Sequence, residues 1–143
     1  MNNNSPALHA RSAQSDRVLS IMVVDDDDEA SRAIAEMLRH LGETAVVCSN
    51  ASGAMERVRA GKLDLMLIDY RMPELTGIDL ISMLREEGFQ IPVIMMSGYS
   101  VTEQRVDLEK SGVFTILKKP ITLSELREAI DAGVGSSTPG HGD

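Results

Sequence analysis

Apolar residues follow one another along this chain in two rhythms that take turns. Residues 19–24 are nearly all apolar, as expected for a strand buried on both faces of a parallel sheet. Ala30, Ile34, Met37, Leu38 and Leu41 then recur at helical spacing, and Gly42 stands where a C-terminal cap belongs. Residues 45–48 predict a second strand. Residues 51–59 predict a short helix with Ala51, Ala54, Met55 and Val58 inward. A third apolar run covers 63–68. The next helix covers 77–87, with Ile78, Ile81 and Leu84 or Leu80 as its stripe and Gly88 as its stop. Residues 91–96 form a fourth run, and Ser100 with Glu103 has the spacing of a capping box for the helix after it. Residues 113–117 predict a fifth strand. Thr122 with Glu125 opens a last helix facing inward through Leu123, Leu126 and Ile130. Five strands alternating with five helices predict a doubly wound α/β domain whose parallel sheet is covered on both faces.

The ends read differently. Residues 1–17 are rich in Asn, Ser and Ala without periodicity, and 133–143 are mostly Gly, Ser and Pro, so both are expected to be flexible tails. Residues 18–132 are expected to form the domain, and the residues outside it are expected to be too few for an appended DNA-binding or catalytic domain. Twenty-two Asp and Glu against fourteen Lys and Arg give a net charge of −8, which argues against direct nucleic-acid binding. A single cysteine, Cys48, excludes an internal disulfide, and three scattered histidines give no zinc set. No apolar run approaches the roughly 18 residues of a membrane span. No signal-peptide pattern opens the chain, so a cytoplasmic protein is expected. With aromatics at 3%, the core has to be built from aliphatic side chains and methionine.

Ligand sites of open α/β sheets lie beyond the carboxyl ends of the strands. Strand one runs into Asp25 and Asp26, strand three into Asp69, strand four into Ser97, and strand five into Lys118, Lys119 and Pro120. Taken singly, each has an ordinary explanation. Acids cap helices, serines end strands and lysines cover surfaces. Taken together, three carboxylates, a hydroxyl and an ammonium converge on one edge from four strands. Phosphate-binding glycine loops, the G-x-S-x-G elbow and H-E-x-x-H are all missing from the sequence.

The segments IMVVDDDD, LMLIDYRMPELTG, VIMMSGYS and ILKKPIT also resemble the four signature segments of bacterial two-component receiver domains, of the CheY-like superfamily, in order over residues 19–132. The resemblance implies a flavodoxin-like five-stranded sheet of order 2-1-3-4-5 and phosphorylation of Asp69. It implies Mg²⁺, or Mn²⁺ in its place, held by Asp25, Asp26, Asp69 and the backbone carbonyl of Arg71. Clustered carboxylates repel an incoming phosphoryl group, and a hard divalent cation resolves that repulsion. Asp27 and Asp28 fall outside the acid pair and read as helix-start residues. Lys119, which directly precedes Pro120, is assigned the salt bridge to the phosphoryl group, and a cis Lys119–Pro120 bond is implied. Ser97 is expected to donate its hydroxyl to a phosphoryl oxygen.

Gly98 holds the position of a small residue that leaves the site open. Arg71 and Tyr99 occupy the positions that modulate water access in similar domains. One departure concerns Ile116, three residues before Lys119, where similar domains carry Tyr or Phe. Phe114, two residues before Ile116, is expected on the same strand face by simple alternation. The implied function is a stand-alone receiver, a phosphoacceptor rather than an enzyme in the usual sense. It is phosphorylated by a sensor histidine kinase or a histidine phosphotransfer protein. Output passes to a downstream protein through the fourth helix, fifth strand and fifth helix, with neither nucleic acid contacted directly nor membrane entered. The alternatives are a receiver module of a hybrid kinase or larger regulator acting in a phosphorelay, and a binding module that is never phosphorylated. A hydrolase or mutase acting through an aspartyl phosphate needs a substrate-covering cap, and no segment is large enough to form one.

Overall fold

The computed structural model describes residues 17–73, 75–98 and 112–136. In chain order these form β1 (Ser20–Val24), α1 (Asp28–His40), β2 (Thr44–Cys48), α2 (Ala51–Ala60), β3 (Leu65–Asp69), α3 (Gly77–Glu86), β4 (Val93–Ser97), β5 (Val113–Lys118) and α4 (Leu123–Ser136). The strands form one sheet of order β2-β1-β3-β4-β5, and every pairing is parallel. This is the doubly wound arrangement predicted by the alternating rhythms. The helix predicted between β4 and β5, with its Ser100–Glu103 box, lies outside the described residues.

Alternation along the central strands divides the core into two layers. Met22, Val24, Met66, Ile68 and Met95 point toward α2 and α3, where Ala54, Met55, Leu80, Ile81 and Leu84 meet them. Ile21, Val23, Leu67 and Ile94 point the other way, toward Ile34 and Leu38 of α1 and Leu126 and Ile130 of α4. Every residue of β3 and β4 is buried, so these strands read as continuous apolar runs. Each buried aliphatic or methionine side chain contributes roughly 1.5–3 kcal/mol.

The helix ends follow local chemistry. Asp27 caps α1 by accepting from the Ala30 N–H at 3.1 Å, and Asp28 begins the helix, as their sequence position suggested. Gly42, at φ +92°, turns the chain out of α1 toward β2. The Thr122–Glu125 box is present: Glu125 N–H donates to Thr122 Oγ1 at 3.1 Å and Thr122 N–H to Glu125 Oε1 at 2.9 Å. Two strands begin two residues later than the apolar runs that announce them. Leu63 and Ile91 are half-buried lead-ins packed against the core, and Pro92, without an N–H, precedes β4.

Two expectations need correction. The Gly- and Ser-rich stretch expected to leave the fold at 133 continues as helix through Ser136. Gly133 serves a purpose there, because a Cβ on it would lie 3.3 Å from Leu65 Cδ1 and 3.7 Å from Phe114 Cδ2. Phe114 also lies on the other face from Ile116. The β4–β5 register steps from Val93↔Val113 to Ile94↔Thr115, so Phe114 is an extra residue in a bulge. The bulge turns its ring toward α4, where it shares a groove with Ala129 and Ala132, while Ile116 packs on the α2–α3 layer.

Candidate metal centre

At the carboxyl edge of the sheet, β1 delivers Asp25, β3 delivers Asp69, β4 delivers Ser97 and β5 delivers Lys119. Asp25 is 1% exposed. Its Oδ1 accepts from the Asp27 N–H at 3.0 Å, and its Oδ2 accepts from Lys119 Nζ at 3.0 Å. Lys119 Nζ also lies 2.8 Å from Asp69 Oδ1, so one ammonium bridges the ends of two strands that are neighbours in the sheet. The Lys119 N–H donates to the Ser97 carbonyl at 2.7 Å, which fixes where the lysine stem departs. Lys118 is exposed. Neighbouring residues at a strand end point in different directions, so one of the two lysines reaches the acids and the other does not. The Lys119–Pro120 bond is cis.

Asp26 is exposed, yet a ligand oxygen from each of Asp25, Asp26 and Asp69 lies within 4.8 Å of the others. Burial pushes the Asp69 carboxyl above the usual carboxylate range; the hydrogen bond from Lys119 pulls it down, and Asp25 and Asp26 push it up again. Burial by itself lowers Lys119, but its hydrogen bonds to Asp69 and Asp25 outweigh this and raise it. Three carboxylates facing one ammonium leave negative charge uncompensated, which a hard cation with oxygen ligands could offset. Mg²⁺ prefers such hard oxygen ligands, and Asp25, Asp26 and Asp69 are close enough together that they could hold it.

Tyr70, Arg71, Met72, Pro73 and Thr76 complete an open cleft of about 650 Å³ around the three acids and Lys119. A smaller cavity of about 180 Å³ joins Ser97 and Gly98 to Asp69, Arg71 and Lys119. Ser97 is buried at the site. A Cβ on Gly98 would meet nothing within 4 Å, so this wall is open. Arg71 is exposed and pairs with Thr76 through an isolated antiparallel bridge. Tyr99 lies outside the described residues. Ile116 stands away from the acids, paired with Met95 in the sheet.

The profile of the family described as response regulator receiver domain matches residues 21–131. The chain belongs to the response regulator receiver family. Among curated relatives, the response regulator protein TodT of Pseudomonas putida is 33% identical over 120 residues, covering 84% of this chain and 53% of TodT. The transcriptional regulatory protein ZraR of Klebsiella oxytoca is 34% identical over 109 residues, 76% of this chain and 25% of ZraR. This receiver thus spans about half of the first relative and a quarter of the second. Among solved structures, a response regulator receiver protein from Pseudomonas putida superposes with TM-score 0.75 at 30% identity, covering 81% of this chain and 98% of that one. A Francisella receiver domain gives TM-score 0.77 at 28% identity, covering 84% and 99%.

As a receiver, the chain belongs to the signalling modules of two-component systems, and receivers bind Mg²⁺ at an acidic pocket of this kind. No helix among the described residues is long and apolar enough to cross a membrane. Two residues at the cleft are not picked out by the strand-end pattern. Thr76 lines it, and Gly77 stands just behind it, where a Cβ would come within 2.8 Å of the Asp69 carbonyl oxygen. The T-x-x-D spacing of Thr76 and Asp79 is a capping signature that points to this corner.

Proposed function

We propose that Asp69 is the phosphoacceptor of this receiver and that its phosphorylation governs a protein–protein contact. The observation that carries the reading is the single ammonium of Lys119 bridging Asp25 and Asp69, with Asp26 beside them. An Asp69 carboxylate oxygen attacks the phosphorus of a phosphohistidine on a kinase or phosphotransfer protein. The P–O bond forms, the P–N bond breaks, and the nitrogen keeps the electron pair. Asp25, Asp26, Asp69 and the Arg71 carbonyl would hold Mg²⁺, or Mn²⁺, which would supply positive charge against the negative charge of the phosphoryl oxygens. Lys119 follows the phosphoryl group as its salt-bridge partner. The Ser97 hydroxyl donates to a phosphoryl oxygen in the modified state, a contact made in one state and so able to shift the equilibrium. Arg71, Gly98 and Tyr99 set water access and thereby the phosphate lifetime.

Output uses β5, α4 and the helix predicted before β5, and Ile116, which stands where similar domains carry the switching aromatic, cannot act as one because its side chain is stiff and β-branched. The protein is cytoplasmic, binds no nucleic acid directly and catalyses only its own phosphoryl transfer and loss. A stand-alone receiver is the first reading. Receiver action within a longer regulator or phosphorelay is the second, favoured by the greater lengths of TodT and ZraR. An immunoblot of source cells separates them: a band near 15.5 kDa supports the first, and a larger band supports the second.

Metal dependence is the test. Incubation with acetyl phosphate and Mg²⁺ is expected to add one phosphoryl group by intact-mass spectrometry, and a chelator is expected to prevent it. Asp26→Ala is expected to lower Mg²⁺ affinity by at least about tenfold, since it removes one of few anionic ligands. Equal affinity in Asp26→Ala and wild type would reduce the acidic run to a solvated helix start.

A further inference from the structure

Between Asp69 and α3 the chain makes a closed loop. Its neck is the Gly77 N–H donating to the Tyr70 carbonyl at 2.8 Å, and one step further in Arg71 and Thr76 pair as an antiparallel bridge. Thr76 is then fastened to the helix it opens. Its N–H donates to Asp79 Oδ2 at 3.0 Å, and its Oγ1 accepts from the Asp79 N–H at 3.2 Å. The neck also abuts the acidic site from below. A Cβ on Gly77 would lie 2.8 Å from the Asp69 carbonyl oxygen, 2.9 Å from Met95 Sδ and 3.1 Å from Ile68 Cγ2. The methionine end can move aside. The Asp69 carbonyl is main chain of a strand paired along its length with β4, and it cannot move without displacing the acid itself.

We propose that Gly77 and Thr76 are positioning residues of the metal centre, Gly77 by letting α3 seat directly on the Asp69 backbone and Thr76 by pinning the loop that carries Arg71. The inference rests on the reading of this cleft as the Mg²⁺ and phosphoacceptor site. Neither residue touches the reacting atoms. Each acts through a group that does: Gly77 through Asp69, and Thr76 through its bridge to Arg71. Groups that orient ligands in this way typically cost 10–100-fold in metal affinity when removed.

The test is calorimetric titration of the full chain with Mg²⁺, beside thermal unfolding of each variant without metal. Gly77→Ala and Thr76→Val are each expected to bind Mg²⁺ about tenfold more weakly than wild type. Thr76→Ser keeps the acceptor oxygen and is expected to stay within about twofold of wild type. Gly133→Ala, on α4, which crowds Leu65 of β3, serves as a destabilised control expected to bind Mg²⁺ normally. Should Gly77→Ala fail to fold, the Thr76→Val and Thr76→Ser pair decides the matter. Lowered unfolding temperature with wild-type Mg²⁺ affinity in Thr76→Val would overturn the proposal, because the capping box would then serve stability and nothing more. Asp26→Ala in the same series separates the two levels. If it too binds as wild type does, the metal-site reading itself falls; if it alone weakens binding, only the positioning role does.

Discussion

Asp69→Asn should take up no phosphoryl group from acetyl phosphate and should, without metal, melt at a higher temperature than wild type. The first effect follows from loss of the nucleophilic carboxylate. The second follows from its surroundings. Burial holds the Asp69 carboxyl above its ordinary range, with the neighbouring acids adding to the effect after Lys119 is allowed for. A carboxyl with a raised pKa in the folded state binds its proton more tightly there than in the unfolded chain. Its ionisation therefore removes stability as pH rises from the unfolded pKa through the folded one, and the loss is complete above that window. At neutral pH asparagine removes the penalty. A rise in Tm is expected. Mg²⁺ should reverse the order by stabilising wild type more than the variant, because it binds the folded state through the acid that the variant lacks. Intact-mass spectrometry and thermal scans with and without Mg²⁺ measure both. Full phosphate incorporation in the variant would remove Asp69 from the role.

Lys119→Ala should be the most destabilising substitution at the site, and Lys118→Ala nearly silent. Removing Lys119 leaves the buried Asp25 and Asp69 carboxylates facing each other with no cation between them, at a cost of about 2 kcal/mol once the lysine's partial exposure is allowed for. Lys118 is an exposed neighbour, and its truncation should stay within about 0.5 kcal/mol. Mg²⁺ should restore part of what Lys119→Ala loses, since both cations answer the same negative charge. The response to beryllium trifluoride, followed by amide chemical shifts at Ser97 and along β5, should shrink in Lys119→Ala and persist in Lys118→Ala. A larger defect in Lys118→Ala would contradict the placement of these two side chains.

Much of this was legible in the residue pattern because parallel strands buried on both faces leave little ambiguity. LMLI and VIMM read as strands without any partner in view, and the polar residues that end them, Asp69 and Ser97, are located by where each apolar run stops. The choice of Lys119 over Lys118 rested on one residue of spacing to Pro120, and the ammonium does reach both Asp25 and Asp69. Other features depend on register and close approach, which leave weaker traces. A bulge is a property of two strands together, so nothing in VFTIL by itself separates Phe114 from Ile116. Gly133 reads as the start of a tail until Leu65 and Phe114 are seen to occupy the space where its side chain would stand. Thr76 and Asp79 carry a usable capping signature at the end of the LMLIDYRMPELTG segment.

The lysine that balances the acids comes from an edge of the sheet. β3 and β4 are buried throughout, whereas β5 is an edge strand whose residues are only half-buried. Edge strands open locally at lower free energy than central ones. Each opening of β5 that withdraws Lys119 exposes the acids of β1 and β3 to one another, while those strands stay paired. Amide hydrogen exchange therefore becomes a reporter of the site's charge. A divalent ion that compensates the acids relieves the dependence on Lys119, so exchange at the end of β5 slows less on adding Mg²⁺ than exchange at Asp25 and Asp69. A loaded site would thus leave the edge strand freer to change its pairing.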